Sequence, residues 1–533
     1  MQFAVDPAVT KKIQAMQRRV RWQSTVVQEQ GINQTHLVLD NAPASGEDFS
    51  FLVIGDSGTG KQGRYDPQYA IAEQMQAQRD NASFVMHTGD VVYLVGSREY
   101  YQDNFIRPYR HFLQGGENNA QAIAYDKMVF NLPFLPVPGN HDYYDLPLPY
   151  GLLMGLTQKV RQWFPIGVDW DVGWHGSFTG EAYARAFMDC LDRFNNDREI
   201  TKHFQQHYAP HTIHPGQTAP CLHYKTGEFT RIPNRYYSFR MGDIDFFALD
   251  SNTFNVPLAG SGQALTSEQR DQLKQKLEDL VAEKQTIRES MDKMRFELDR
   301  DGEDLEEMRG ELEQIDEIRR DIEKQLNPHT GELDGVQLKW LETGLIASWN
   351  DEAVRGRVLF FHHPPYVTET SKWYQGQTHA IRDNLRTVLD KVGFSIGWKV
   401  GDRPLVDLVI NGHAHCLEHL ETLNTGHGDA YTNWLVCGGS GYSLRRQRQE
   451  GATLRVVDFQ PDSPAIAESK VFFGKTGSGR KKSRAYSFLH INVTTGKIPK
   501  FVVRPFISER FQRSWQHYPA QPFTIQSRAP GAE

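Results

Sequence analysis

The chain has 533 residues, of which 39% are hydrophobic, and its 30 Phe, 21 Tyr and 10 Trp supply enough apolar volume for a sizeable core. A formal net charge of -7, from 59 basic and 66 acidic residues, excludes a global attraction to nucleic acid. The four cysteines form no CxxC pair, which excludes a disulfide-rich scaffold and a thiolate zinc site, although Cys190 and Cys221 could pair in an oxidising compartment.

The N-terminal residues 1–46 predict a polar helix followed by an extended stretch at 36–40, and we interpret them as an N-terminal extension. Residues 1–25 contain no apolar segment of the kind that a secretory signal requires. The chain also has no run of about 18 apolar residues, so no membrane span is predicted. We therefore expect a cytoplasmic protein, unless a leader was removed before residue 1.

From residue 47 onward, short apolar runs alternate with loops and helical segments, a pattern that predicts a layered α/β fold. A helix is predicted over 67–78. A hairpin over 236–250 is expected to turn at Gly242-Asp243, and a final hairpin at Thr495-Gly496. The other predicted strands are 51–54, 83–86, 358–361, 405–410 and 434–437.

Residues 266–328 interrupt the α/β pattern and divide it into a first part, 47–265, and a second part, 329–533. We predict two antiparallel helices of about 25–30 residues, each about 40 Å long at 1.5 Å per residue. This hairpin is either self-contained or an arm for a homo-oligomer or a protein partner, and no catalytic residue type is arranged in it. The prediction depends on apolar residues at the four-three spacing of a coiled-coil seam, which are 277, 280, 287, 291, 294 and 298, then 305, 308, 312, 315, 322 and 326.

Five loop motifs each follow an apolar run and present oxygen or imidazole donors. Taken singly they are weak, because an Asp after a strand is commonly a helix cap and adjacent His residues are commonly packed in a core. Together they are more specific, since ligands bind at the carboxyl ends of strands in open α/β sheets. In chain order the motifs are Gly55-Asp56-Ser57-Gly58, Gly89-Asp90-Val91-Val92-Tyr93, Gly139-Asn140-His141-Asp142, His362-His363-Pro364-Pro365 and Gly412-His413-Ala414-His415.

The donors in these motifs predict a dinuclear metal centre. Carboxylates, an amide, a phenol and several imidazoles suit borderline to hard ions such as Fe, Mn and Zn. One carboxylate can bridge two ions about 3.5–4 Å apart, which is the spacing of two-metal hydrolases.

The five motifs, in this order, resemble those of the calcineurin-like metallophosphoesterases, and most closely those of the purple acid phosphatase branch. Most members of the superfamily begin with Asp-x-His, whereas this chain has Gly58 at the position of that histidine. The second motif has Tyr93 where the purple enzymes have a metal-bound tyrosinate. The resemblance covers roughly 50–260 and 330–445, and it implies a four-layer α/β/β/α sandwich with the coiled-coil hairpin as an insertion.

The resemblance also implies a role for each donor on the side of the first metal ion. Asp56, Tyr93 and His415 would hold this ion, which would be Fe(III) where the tyrosinate is bound. Asp90 would bridge it to a second ion. The implied reaction is hydrolysis of a phosphomonoester by a hydroxide bound at the dinuclear centre.

The second ion would be a divalent Zn, Mn or Fe. Its implied ligands are Asn140, His362 and His413. His363 is the alternative to His362, or it touches the substrate. His141 would contact the phosphate and help to protonate the leaving group.

Three alternative functions remain open. The same centre could hydrolyse phosphodiesters, because substrate choice depends on the loops around the metals, chiefly 145–232 and 366–380. The chain could instead be a non-catalytic scaffold that binds a partner through the arm, although all the candidate ligands are present. It could also bind a nucleotide, since Gly55 to Lys61 nearly matches a P-loop, but Gln62 stands where that motif requires Ser or Thr.

Overall fold

The computed structural model describes residues 4–40, 42–61, 65–146, 176–256, 266–295, 303–326, 333–400, 403–456, 462–478, 481–512 and 514–526. Residues 147–175, in the first loop expected to govern substrate choice, lie outside this set. The α-helices are α1 (Val9–Arg19), α2 (Thr25–Glu29), α3 (Pro67–Gln76), α4 (Gly116–Asn119), α5 (Glu181–Phe187), α6 (Asp197–His207), α7 (Ser267–Arg295), α8 (Glu303–Leu326), α9 (Gly335–Asn350) and α10 (Gly376–Ile396).

The strands form two sheets. They are β1 (Asn33–Leu39), β2 (Phe49–Ile54), β3 (Phe84–His87), β4 (Phe134–Pro136), β5 (Tyr208–His214), β6 (Gln217–Tyr224), β7 (Tyr237–Met241), β8 (Ile244–Ala248), β9 (Gly356–Phe361), β10 (Leu408–Asn411), β11 (Leu417–Thr422), β12 (Asn433–Cys437), β13 (Thr453–Arg455), β14 (Ala465–Phe473), β15 (Lys475–Thr476), β16 (Ser483–Thr494), β17 (Lys500–Phe511), β18 (Ser514–Pro519) and β19 (Phe523–Gln526).

The order of the strands places several parallel neighbours side by side. The first sheet has the order β13-β14-β11-β12-β10-β9-β8-β7-β1-β6-β5. The second has the order β18-β17-β16-β2-β3-β4, with β15 paired to β16 and β19 paired to β17. Strands β8, β9, β10 and β12 run parallel in the first sheet, and β2, β3 and β4 run parallel in the second. The loops that follow parallel neighbours therefore lie at one edge of each sheet.

The two sheets pack face to face through aromatic side chains. Phe51 and Phe84 of the second sheet stack at 4.8 Å, and so do Phe239 and Phe246 of the first. Phe51 meets Phe246 edge to face at 5.7 Å and 89°, so the two pairs interlock. All four side chains are buried. Aromatic pairs of this kind contribute about 0.5–1.5 kcal/mol beyond the burial of their area.

Helices cover the outer faces of both sheets. On the first sheet, Leu341 of α9 and Val388 of α10 belong to the same buried cluster as Leu359 of β9. On the second sheet, α3 lies against β16 and β17, with Ile71 fully buried. The order of layers is therefore helix, sheet, sheet, helix, which confirms the predicted four-layer α/β/β/α fold.

The N-terminal segment, which the sequence suggested as an extension, is built into the first sheet. Strand β1 lies between β6 and β7 and runs parallel to both. Leu37 is fully buried on this strand, as is Met16 on α1. Its apolar residues therefore belong to the same buried core as residues of strands that come from much later in the chain.

The arm, which we define as α7 and α8, consists of two helices that run in opposite directions. Arg270 near the start of α7 donates to the Leu326 carbonyl at the end of α8 at 3.2 Å. Leu280 of α7 and Ile315 and Ile322 of α8 are buried in one cluster between the helices. These residues belong to the predicted apolar seam. Supercoiling of the pair remains a prediction.

Among the helices in the described ranges, none combines the length and the apolar character needed to cross a membrane.

All four cysteines are buried and free. Cys190 and Cys221, the pair that the sequence left open, instead direct their sulfurs to the carbonyls of Ala184 and Ala219, each at 3.4 Å.

Candidate metal centre

The predicted motifs meet at one edge of the sandwich. Each follows a parallel strand, with Asp56 after β2, Asp90 after β3, Asn140 after β4, His362 after β9 and His413 after β10. These five side chains are all buried. Within the described residues, two groups of three side chains that share His362 present ligand atoms within 4.8 Å of one another. The fold thus brings together donors that lie far apart in the sequence.

The hydroxyl of Tyr93 lies at the centre of the first half of the site. It is 3.1 Å from Asp56 Oδ1 and 3.0 Å from Asp90 Oδ2. His415 Nε2 lies 3.4 Å from the same hydroxyl and 3.6 Å from Asp56 Oδ1. The donors predicted for the first ion therefore converge with the predicted bridging carboxylate.

The Nε2 atom of His362 lies at the centre of the second half of the site. It lies 3.0 Å from Asn140 Oδ1, 3.2 Å from His413 Nδ1 and 3.3 Å from Asp90 Oδ2. Asp90 Oδ2 is therefore close both to Tyr93 and to His362. A bridging carboxylate requires such a position between the two halves.

Hydrogen bonds on the far side of two imidazoles determine which ring nitrogen faces the site. His362 Nδ1 lies 2.9 Å from the Thr88 carbonyl, and His415 Nδ1 lies 3.1 Å from the Ser443 carbonyl. Because a carbonyl only accepts, each ring in its neutral form carries its proton on Nδ1 and turns the lone pair of Nε2 inward. Imidazole lone pairs that converge with carboxylate oxygens form the donor set of a cation, so the residues fit a metal ion.

The charges around the two carboxylates also favour a cation. Within the described part of the chain, the ion-pair partners of Asp56 and Asp90 are histidines rather than Lys or Arg. Burial, reinforced by the like charge of Asp90, raises the pKa of Asp56 to about 8. Burial and the same carboxylates raise the pKa of the Tyr93 phenol well above its ordinary value. A bound cation favours the charged form of each group and so opposes both shifts.

The backbone is strained at three of the predicted ligands. Asp56, Asp90 and His413 have φ angles of 53°, 55° and 65°. Such angles are uncommon for residues other than glycine, and strain of this kind concentrates at functional sites. Hydrogen bonds hold the loops in place, since His413 N donates to Asp56 Oδ2 at 2.8 Å and His141 N donates to Asp90 Oδ1 at 2.9 Å.

Gly58, which replaces the histidine of most superfamily members, has no room for a side chain. A Cβ atom there would lie 1.8 Å from the Val91 carbonyl oxygen. The Gly58 carbonyl also accepts a hydrogen bond from Tyr93 N at 2.9 Å. The close approach of the first and second motifs brings Tyr93 to Asp56. The absence of the histidine and the presence of the tyrosine therefore have the same structural cause, which is the close approach of the two motifs.

Two further histidines were predicted to lie near the substrate. The Nδ1 atom of His141 contacts the Leu94 carbonyl, which leaves Nε2 directed toward Asp90 Oδ2 at 3.9 Å. His363 Nδ1 lies 2.7 Å from Ser251 Oγ, while its Nε2 is buried with no hydrogen-bond partner. Both rings thus border the centre, and His363 has a free nitrogen for a metal ion or for the substrate.

Asp142 has a positioning role that the sequence did not reveal. Its carboxylate accepts hydrogen bonds from Val91 N at 3.1 Å and from Gly139 N at 2.9 Å. It thereby ties the second motif to the third. The only sequence signal was a carboxylate directly after His141 in the third motif.

The arm contributes two carboxylates to the site, which corrects the expectation that no catalytic residue type is arranged in it. Glu317 Oε1 lies 3.2 Å from His413 Nε2. Glu313 Oε1 lies 3.6 Å from His141 Nε2. Helix α8 therefore packs over the centre and does not project away from the domain.

Comparison with known proteins finds a family model that matches one part of the chain. Residues 49–229, which contain the first three motifs, match the family model of the calcineurin-like phosphoesterases. Over these residues, the match confirms the superfamily predicted from the motifs. A search among curated proteins found no match.

Three solved structures resemble this chain at low identity. Purple acid phosphatase PPD1 from yellow lupin (Lupinus luteus) seeds aligns with 92% of this chain and 56% of its own, at 12% identity and a TM-score of 0.43. PhoD aligns with 92% of this chain and 72% of its own, at 13% identity and a TM-score of 0.39. GAP50, the anchor in the inner membrane complex of Plasmodium, aligns with 90% of this chain and 89% of its own, at 10% identity and a TM-score of 0.34. This chain thus spans little more than half of the lupin protein, and the family model matches residues 49–229.

Proposed function

We propose that this chain, whose residues 49–229 match the calcineurin-like phosphoesterases, hydrolyses phosphate monoesters at a dinuclear metal centre of the purple acid phosphatase type. The observation that carries the proposal is the convergence of carboxylates, phenol, amide and imidazoles from five separate loops around Asp90. Hydrolysis of diesters at the same centre is the alternative activity.

The proposed metal ligands form two sets of three that share one carboxylate. When bound, two ions would acidify a water molecule and neutralise the oxygens of the phosphate. The first ion would be Fe and the second Zn, Mn or Fe. The proposed ligands are Asp56, Tyr93 and His415 for the first ion, Asn140, His362 and His413 for the second, and Asp90 for both.

Side chains beside the centre supply the remaining chemistry. His141 Nε2 faces the centre and, with the ring protonated on both nitrogens, would give a proton to the departing ester oxygen. Lys372 forms an ion pair with Glu317 beside His413, and Arg445 N donates to the His415 carbonyl at 2.9 Å, so both cationic residues lie near the site. We infer that these cations attract the phosphate group.

Two observations bear on the alternatives. Helix α8 packs against His141 and His413, which supports a small ester rather than a bulky polymer as the substrate. The nucleotide-binding alternative loses support because Lys61, which would reach the phosphates in a P-loop, is exposed whereas Asp56 is fully buried.

Metal analysis combined with two aryl phosphates tests the proposal. The purified chain is loaded with Fe and Zn, its metal content is measured, and the initial rates are compared for para-nitrophenyl phosphate and bis-(para-nitrophenyl) phosphate. We expect two ions per chain and faster turnover of the monoester. We also expect Asn140→Ala to lower that rate by about 10²–10³-fold, because the second ion loses a ligand.

Asn118→Ala is the matched control, since Asn118 is exposed on α4. It should retain the wild-type rate. A chain that holds metal but hydrolyses neither ester would contradict the enzyme proposal, and faster turnover of the diester would contradict the monoester assignment. A chain that holds no metal even after loading would favour the scaffold alternative.

The role of Tyr93 has a spectroscopic test. We expect the Fe(III)-loaded protein to show a visible charge-transfer band, and Tyr93→Phe to lose it. Tyr442→Phe is the control, because the Tyr442 ring stacks on Tyr93 at 4.1 Å but is not a proposed ligand. A band that persists in Tyr93→Phe would place the chain outside the tyrosinate-bearing branch.

A further inference from the structure

Helix α8 of the arm has two opposite stripes. The apolar stripe, with Ile315 and Ile322, packs against α7. The other stripe is polar and recurs every three or four residues, so its members share one face of the helix. This polar stripe faces the metal-binding domain and consists of Glu313, Glu317, Arg320, Asp321 and Lys324.

Contacts outside the site hold α8 against the domain. Asp321 accepts hydrogen bonds from Gly376 N at 2.8 Å and from Gln377 N at 3.0 Å, and so caps the N-terminus of α10. Lys324 forms an ion pair with Asp6 in the N-terminal segment. Because these partners belong to separate segments of the domain, α8 has a defined position over the centre.

Glu317 meets His413 on the side of the ring opposite the metal donors. His413 Nδ1 faces His362 Nε2 at 3.2 Å, and His413 Nε2 faces Glu317 Oε1 at 3.2 Å. A carboxylate only accepts hydrogen bonds, so the proton of the ring belongs on Nε2 and the lone pair on Nδ1. Metal-bound histidines commonly donate their second N–H to a carboxylate in this way.

Other side chains fix the Glu317 carboxylate. Lys372 forms an ion pair with Glu317 Oε1, and Gln375 Nε2 donates to the same oxygen at 3.1 Å. The Lys372 side chain is only 2% exposed, so this ion pair is well protected from water. Gln377 Nε2 also lies 3.0 Å from His413 Nε2, and it is the competing partner for that nitrogen.

We propose that Glu317 is a positioning residue for the metal centre, whose carboxylate accepts the Nε2–H of His413 and turns Nδ1 toward the second ion. The proposal rests on the metal assignment made above. It makes the arm a structural part of the active site rather than an appendage. The chain then cannot lose the arm without weakening its own metal binding.

Zn²⁺ affinity measured without substrate tests this role. The full-length chain and its variants are titrated with Zn²⁺ against a chromophoric chelator. We expect Glu317→Ala to weaken the binding of one of the two Zn²⁺ ions by about 10–100-fold and to leave the affinity for the other unchanged. Glu317→Gln preserves the shape of the side chain and an acceptor oxygen, so its Zn²⁺ affinity should lie between those of the wild type and Glu317→Ala. If Glu317→Ala fails to fold, Glu317→Gln alone tests the role of the carboxylate.

Glu323→Gln is the matched control on the same helix, because Glu323 is 41% exposed and pairs with Arg319. Wild-type affinity in both Glu317 variants, or an equal loss in Glu323→Gln, would overturn the proposal. So would a larger loss in Gln377→Ala, which would make the amide the orienting group. If the wild type binds Zn²⁺ but hydrolyses no ester, the proposed function fails while the test of Glu317 remains valid.

Discussion

Replacing Asp90 with Asn is expected to lower the turnover of an aryl phosphate by about 10³-fold or more. Asp90 Oδ2 lies 3.0 Å from the Tyr93 hydroxyl and 3.3 Å from His362 Nε2, so both halves of the site depend on it. The substitution removes the shared negative charge, and the new amide can direct its N–H groups at the donors that should face a cation. Initial rates and metal content, measured on the same loaded sample, check both effects.

Asp80→Asn is the control for this substitution, because Asp80 is exposed in a short helical turn before β3. It should retain the wild-type rate and metal content. Circular dichroism and thermal unfolding of the metal-free proteins distinguish loss of the centre from loss of the fold. A wild-type rate in correctly folded Asp90→Asn would contradict the proposed site.

Much of the site was predictable from the sequence because its chemistry is local to strand ends. Asp56 and Asp90 each follow a short apolar run, and His362 and His413 follow two more. Parallel strands that are neighbours in a sheet bring such loops together whatever lies between them in the chain. The order of the motifs therefore predicted that these side chains lie close together. The distances between them depend on how the two sheets pack and could be read only from the structure.

The polar stripe of α8 was not predictable in the same way. On a helix with one apolar seam, the charged face opposite is ordinarily solvated. Nothing local distinguishes Glu317, which faces His413, from Glu323, which lies toward solvent on the same helix. The difference arises from the docking of α8 on the domain, where Asp321 caps α10. That docking depends on contacts between segments far apart in the chain.

The position of β1 within the first sheet could not be predicted from the sequence for a similar reason. Residues 36–40 already suggested an extended segment, but its neighbours β6 and β7 come from about 180 to 200 positions later. A single apolar strand carries no signal that identifies its partner in a sheet. The sequence therefore revealed the strand, whereas its membership of the sheet required the tertiary structure.

Gly58→Ala is expected to destabilise the fold and to disrupt the centre together. A Cβ atom at this position would lie 1.8 Å from the Val91 carbonyl oxygen and 2.6 Å from Val92 Cα. These are backbone atoms, so the second motif itself must move. Overpacking commonly costs about 1–3 kcal/mol, and we expect a loss in the free energy of unfolding of about 3 kcal/mol. Urea denaturation measures this loss.

The same displacement should reach Tyr93, because Tyr93 N donates to the Gly58 carbonyl at 2.9 Å. We therefore expect the visible band of the Fe(III)-loaded protein to weaken or shift in Gly58→Ala. Gly335→Ala is the control, since no atom lies within 4 Å of a Cβ placed there at the start of α9. If Gly58→Ala retained both wild-type stability and the band, the two motifs would not be coupled by their close approach. Tyr93 would then reach Asp56 for a reason unrelated to the histidine that most of the superfamily carries.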